Sequence, residues 1–260
     1  MINLFKKVII QAFRMCGLVI HKVKPEHYFP SQITKILTTF DVKYVIDIGA
    51  NEGQYASEIR RLGYKHSIYS VEPLTEAHKK LLKNSRSDCN WHAIDRCAVG
   101  SKTEKAEINV SSNSVSSSLL ILEPDHLEAC ASSQIIGTEP VDIMSADDLV
   151  KKLDIKLKDT FIKLDVQGYE LNVLKSFSRI DEFKGVQLEC SFASLYKNAA
   201  LYYDIIEFLE KNGFGCWAIS QGFTDNKTGR TLQADLVYIN KRFTGQYSEK
   251  AFSLLRRSEV

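Results

Sequence analysis

Tyr44-Val45-Ile46-Asp47-Ile48-Gly49-Ala50-Asn51-Glu52-Gly53-Gln54 is the stretch on which the fold of this chain turns. Apart from Asp47, its first five residues are apolar and rich in β-branched side chains, the pattern of a strand covered on both faces. Residues 49–53 break that run. Residues 54–62 then read as a helix with Tyr55, Ile59 and Leu62 along one face. Strand, glycine turn and helix in that order bring backbone N–H groups to a point that a ligand can approach closely.

The alternation continues outward from there. Residues 67–71 form a strand, and Pro73 opens a helix running through Leu74, Ala77, Leu81 and Leu82. A third strand lies within 91–99 and a short extra one at 106–110; serine-rich residues 111–118 lead into a less patterned segment up to about Thr138. A short helix at 147–153, an apolar strand at 160–164 and a helix at 170–177 follow. Residues 186–190, 202–211, 214–219 and 232–239 close the pattern as strand, helix, strand, strand. This predicts an α/β, doubly wound domain with a mostly parallel sheet and helices on both faces. The last two strands, with Asp225-Asn226 and Gly229 between them, suggest a hairpin at one end. No repeat or linker interrupts the pattern, so residues 31–260 read as one domain behind an N-terminal extension, residues 1–30.

With 260 residues, 44% of them hydrophobic and 25% charged, the chain has ample material for a full core. Its 34 basic and 32 acidic residues give no reason to expect a nucleic acid as partner. The six cysteines form no C-x-x-C pair and no zinc-finger spacing, which points to reduced thiols in a cytoplasmic protein. No apolar run approaches bilayer-spanning length.

Residues 1–24 carry an apolar stripe (Phe5, Ile9, Ala12, Phe13, Cys16, Ile20) with Lys6, Lys7, Gln11 and Arg14 elsewhere around the helix. No acid precedes Glu26. Gln11 and Arg14 interrupt what would be the apolar core of a signal peptide, arguing against secretion. The favoured reading is a helix packed on the main domain or in a homodimer interface, since such stripes mostly face a core. The alternative is a basic amphipathic helix on an anionic membrane surface, peripheral at the inner face.

Asp47, Gly49 and Gly53 sit at the carboxyl edge of the sheet, where doubly wound proteins bind nucleotides. The three residues between the glycines depart from G-x-G-x-x-G, and no Gly-Lys-Ser/Thr ends the turn. Asp47 would repel a pyrophosphate but suits a cationic ligand. Glu72, directly after the second strand, is placed to accept hydrogen bonds from both ribose hydroxyls, although it also suits a helix N-cap. Together these acids favour a nucleoside with positive charge.

At these residues the sequence resembles the FkbM family of methyltransferases. The matching pieces are Val45-Ile46-Asp47-Ile48-Gly49-Ala50-Asn51-Glu52-Gly53-Gln54-Tyr55, Val71-Glu72-Pro73, Ala98-Val99-Gly100, Ile162-Lys163-Leu164-Asp165-Val166-Gln167-Gly168-Tyr169-Glu170 and Glu189-Cys190-Ser191-Phe192. The resemblance implies a class I, Rossmann-like methyltransferase fold with seven strands, the last antiparallel. It also implies S-adenosyl-L-methionine as cofactor and methyl transfer to a hydroxyl of a small molecule or glycan intermediate. By position, Asp47, Gly49, Asn51 and Gly53 would surround the methionine part, with Gln54 beside them. Glu72 would hold the ribose, and Asp95 to Ala98 would lie near the adenine. Gln167 stands where the family commonly has Glu.

Asp165 and Glu189 each follow or end a strand at the cofactor edge and are the candidate general bases; Asp165 suits a helix cap equally well. Gln167 and Glu170 are candidate acceptor contacts, Glu170 also fitting a first-turn helix position. No third carboxylate completes a metal site, so none is expected. Among the histidines only His126 merits a test as base. Two other classes share this sheet: a nicotinamide-dependent oxidoreductase, and a catalytically silent nucleoside-binding protein.

Overall fold

A computed structural model describes residues 2–20, 23–123 and 133–245. His126 and Cys130 lie outside the described residues. Strand β1 (Tyr44–Ile48) is central and pairs in parallel with β2 (Ser67–Val71) on one side and β7 (Thr160–Leu164) on the other. The registers are even, with Ile48 opposite both Val71 and Leu164. The residues that follow these three strands therefore emerge side by side at one rim.

Outward from β2 lies β3 (Trp91–Ala93); beyond β7 come β8 (Gly185–Ser191), β10 (Gln233–Asn240) and β9 (Phe214–Gln221). Among the described residues the sheet thus has seven strands in the order β3-β2-β1-β7-β8-β10-β9. β10 runs antiparallel to both of its neighbours, as the expected terminal hairpin requires. The seven-stranded, mostly parallel sheet with its last strand antiparallel is as the sequence predicts.

Period-two alternation divides the core between the two faces. Ile46, Ile48, Ile162, Leu164, Val186 and Leu188 join one cluster, where Leu149 of α5 (Ala146–Leu153), Leu174 of α6 (Glu170–Lys175) and Leu209 of α7 (Tyr202–Lys211) are buried. Val45, Ile68, Phe161 and Val237 join the other, with Leu37 of α2 (Phe29–Thr39), Ile59 of α3 (Gln54–Arg61) and Leu81 of α4 (Thr75–Ser85).

Two expectations need correction. The strand expected within 91–99 is two: β3 stays in the main sheet, and β4 (Ala98–Gly100) leaves it for a second sheet. There β4 pairs with β6 (Ile135–Ser145), which also pairs with β5 (Glu104–Ser111). β6 begins in the segment read as unpatterned. Its one solvated face and Pro140 hide it from apolar-run criteria.

The N-terminal helix α1 (Ile2–Met15) departs from one half of the favoured reading, packing on the main domain. Lys6, Lys7 and residues 10–20 are exposed, so this part of the segment is not packed on the domain. No helix among the described residues is long and apolar enough to cross a membrane.

The turn after β1 is held to both neighbours by backbone bonds. Gly49 and Ala50 donate to the Val71 carbonyl, and Asp165 N–H donates to the Ile48 carbonyl. Gly49 has φ +78°, and a Cβ there would stand 1.9 Å from the Asp165 carbonyl oxygen. Backbone faces backbone at this point, so no rotamer change relieves the clash. Gly49→Ala should lose at least about 2 kcal/mol, combining overpacking with a strained φ. Urea unfolding measures it, and an unchanged midpoint at unchanged m would show that the approach is not this close.

Candidate functional site

At the rim, the buried Lys163 of β7 meets two carboxylates. Its Nζ lies 3.2 Å from Asp47 Oδ1 and 3.3 Å from Asp165 Oδ2, and donates to the Gly49 carbonyl at 3.2 Å. Burial alone would depress the Lys163 pKa, but Asp165 and Asp47 override it and raise the ammonium above its usual value. Asp47, with Ser70 Oγ donating at 3.3 Å, is pushed up by burial, because one ammonium is shared between two acids. The ammonium also sits 5.6 Å from the Tyr55 ring centroid.

Glu72 is buried at the end of β2. Its Oε2 accepts from Asn51 N–H at 2.7 Å and its Oε1 from Leu74 N–H at 2.9 Å. One backbone donor per oxygen leaves further acceptor capacity on each. Burial raises its pKa from the ordinary 4.5 to about 7, against the pull of those two N–H groups. Glu170, the buried first residue of α6, reaches back to accept from Val166 and Gly168 N–H, and burial raises it to about 7 as well. Both acids favour the folded state below about pH 4.5 and lose that contribution as pH rises through about 7.

Two cavities open at this rim. The first is bordered by Gly49, Asn51, Glu72, Ala98, Asp165 and Gln167, with apolar walls from Leu74, Ile108 and Leu119. The second is bordered by Asn113, Ser116, Ser133, Glu189, Phe223 and Gln233, and again by Asp165 and Gln167. Residues 113–118, one of the walls, are tied down: Asn51 Nδ2 donates to Ser114 Oγ, and Ser118 Oγ donates to the Gln167 carbonyl at 2.7 Å.

Between the cavities Gln167 adopts φ +53°, a left-handed conformation costly for a residue with a side chain. Its Nε2 donates to Asp165 Oδ1 at 2.7 Å and to Glu189 Oε2 at 3.2 Å, while its Oε1 accepts from Tyr196 Oη at 2.6 Å. Gln233 Nε2 donates to Glu189 Oε2 at 2.8 Å. Burial, then the nearby charges of Asp165, Glu170 and Asp235, raise Glu189 well above the ordinary carboxylate value. Asp165 does not cap α6, whose N-cap is Tyr169.

Among the residues singled out from sequence, Gly49, Asn51, Glu72, Ala98, Asp165, Gln167 and Glu189 border the cavities. Asp47 lies beneath them in the Lys163 network. Gly53 has φ +90° and packs on the Trp91 ring, Gln54 begins α3, and Asp95 is 90% exposed and paired with Lys152 at 2.7 Å. Glu170 braces the 166–168 turn from below. These four stand outside the cavity linings. Lys163 and Gln233 are functional residues not singled out from sequence; Lys163, a long cation in the apolar strand β7, carries a usable signal, whereas Gln233 shares its strand with Asp235 and Asn240 and carries none.

An order of β3-β2-β1-β7-β8-β10-β9 with an antiparallel last strand, and a cavity across the carboxyl ends of β1 and β2, defines the class I methyltransferase architecture. The family model described as "Methyltransferase FkbM domain" matches residues 47–216, and the chain belongs to that family. Curated proteins give no match. Similar solved structures include an rRNA methylase from Streptococcus thermophilus, 11% identical over 85% of this chain and 99% of that one (TM-score 0.45). Aeropyrum pernix fibrillarin with bound S-adenosyl-L-methionine is 12% identical over 80% and 74% (TM-score 0.43). A putative RNA methyltransferase from Pyrococcus horikoshii is 13% identical over 82% and 83% (TM-score 0.42).

The cofactor of this family's chemistry is S-adenosylmethionine, and the first cavity fits it. Asn51 Oδ1 is buried there with no hydrogen-bond donor among the described residues, which matches an incoming ammonium. The spare acceptor capacity of Glu72 matches a ribose diol.

Lys163→Met should destabilise the fold by about 3–5 kcal/mol, because Asp47 is left buried without its cation. Asp47→Asn in the same chain should return part of that loss. Chemical unfolding of the native chain and the two variants decides it; a single Lys163→Met variant as stable as the native chain would show that the ion pair holds nothing.

Proposed function

We propose that the chain transfers a methyl group from S-adenosylmethionine to a hydroxyl oxygen of a neutral, hydroxyl-rich small molecule or glycan intermediate. The observation that carries this reading is that Asp165 and Gln167 border both cavities. A group bound in one and an acceptor bound in the other would meet beside the Asp165 carboxylate. Asn113, Ser116, Ser133, Gln167 and Gln233 offer the second cavity neutral hydrogen-bonding groups, next to Asp165 and Glu189. That lining suits a polyol and opposes phosphate, so the acceptor proposed is a small molecule and not a nucleic acid.

Bound S-adenosylmethionine supplies a methyl group activated by a sulfonium. In this reading Asn51 Oδ1 receives the amino end of the cofactor and Glu72 the ribose hydroxyls. Gly49 lets the ligand lie against the backbone, and Ala98 flanks the base. Asp47, Gly53, Gln54 and Asp95 then shape the pocket from behind or at its margin. Asp165 accepts the acceptor's hydroxyl proton, held in place by Lys163 and the Gln167 amide. Glu189 binds a neighbouring hydroxyl, and Glu170 keeps the 166–168 turn in position. A base so placed contributes about 10²- to 10⁴-fold.

Asp165→Ala should therefore keep cofactor binding and lose about 10²- to 10⁴-fold in turnover. Mass spectrometry of candidate acceptors incubated with labelled cofactor identifies the substrate and then reads this loss; undiminished turnover in the variant refutes the base assignment. A chain that binds cofactor but methylates nothing would be a silent binding protein.

Ionised Glu72 accepts both ribose hydroxyls, whereas its protonated form has spent one oxygen on the proton. Affinity for S-adenosylhomocysteine should rise as pH rises through about 7 and level off above it. Calorimetry across this range should show the same rise missing in Glu72→Gln, which stays near the native chain's low-pH affinity. A flat native profile would remove Glu72 from the ribose site.

A further inference from the structure

The segment ahead of the sheet presents cations and apolar side chains to solvent together. On α1, Lys7, Gln11 and Arg14 share one arc, Ile9, Ala12 and Phe13 lie across from it, and Lys6 stands at the boundary beside Phe13. Phe13 is 42% exposed and Met15 85%, and the apolar exposure continues through Leu18, Val19, Ile20 and Val23. Contiguous apolar surface of this kind is unfavourable in water and marks a contact surface. Among the described residues, no carboxylate pairs with Lys6, Lys7 or Arg14, and the sequence holds no acid before Glu26.

We propose that α1 and residues 16–20 dock on the surface of an anionic lipid bilayer, with the apolar arc in the acyl boundary and the cations among the headgroups. Charge selects this occupant over a second copy of the chain. Self-docking would gather the unpaired cations of two copies with no acid in either segment to neutralise them. A bilayer rich in anionic headgroups neutralises them and takes up the apolar arc in the same act. Length selects a surface mode over a spanning one: the 14 residues of α1 reach about 21 Å, short of the roughly 30 Å hydrocarbon core.

The test is cosedimentation of the full chain with vesicles of phosphatidylcholine alone or enriched in phosphatidylglycerol. Binding is expected on the anionic vesicles, weakened by salt, with little on the neutral ones. Each basic residue near such a surface is worth about fivefold in partitioning, so Lys6→Glu, Lys7→Glu and Arg14→Glu combined should cost more than about a hundredfold. Phe13→Ser should weaken partitioning with the net charge of the segment unchanged. Circular dichroism and the thermal midpoint of each variant verify an intact domain. Equal partitioning onto both vesicle types, or none onto either, overturns the proposal. So does a lipid-free dimer in analytical ultracentrifugation that Phe13→Ser dissolves.

Discussion

One buried ammonium organises the reactive end of this molecule. Lys163 sits at the rim of β7, out of water, and its charge survives there because Asp47 of β1 and Asp165 lie within about 3.3 Å. Removing three charges from water costs more than any one contact returns, so the arrangement persists only as a set. Its consequence is positional. The carboxylate that reaches the cavities, Asp165, is tied through Lys163 to a strand that the hydrophobic core fixes on both faces. A carboxylate on a surface loop would wander; this one inherits the rigidity of the sheet.

The same rim explains what could be read from sequence and what could not. β1, its glycine turn, Glu72 and Asp165 were legible because each lies within one short contiguous run whose position relative to a strand end is set by the strand itself. Parallel pairing in even register then brings those strand ends together without further information. The second cavity was not legible in this way. Asn113, Ser133, Glu189 and Gln233 come from four separated segments, and only the tertiary fold makes them neighbours. β6 was missed for a local reason: a half-solvated strand containing Pro140 offers no apolar run. The cations of α1 were visible in sequence, yet their stripe alone favoured a packed helix. Exposure, which sequence does not carry, sets aside packing on the domain.

Gln167 shows why a departure from a family's usual residue need not mean loss of the site. Asp165 and Glu189 both approach this side chain, and Glu170 and Asp235 add to the negative potential acting on Glu189. A glutamate at 167 would place a further carboxylate between two others, and one of them would have to take up a proton. An amide reverses the sign of the contact. Its NH₂ donates to both acids at once, and its carbonyl is fixed by the Tyr196 hydroxyl.

That amide bridge also accounts for the backbone beneath it. Holding a side-chain-bearing residue at φ +53° costs on the order of 1–3 kcal/mol, and such strain lasts only where surrounding contacts outweigh it. Here the contacts are the two acids, Tyr196 and the Ser118 hydroxyl on the Gln167 carbonyl. With a regular backbone at 167 the amide would point elsewhere, and Asp165 and Glu189 would face each other across the cavity boundary with only water between them. Strain in the main chain and neutrality in the side chain are thus two parts of one solution: they let two carboxylates share a cavity wall without repelling each other out of position.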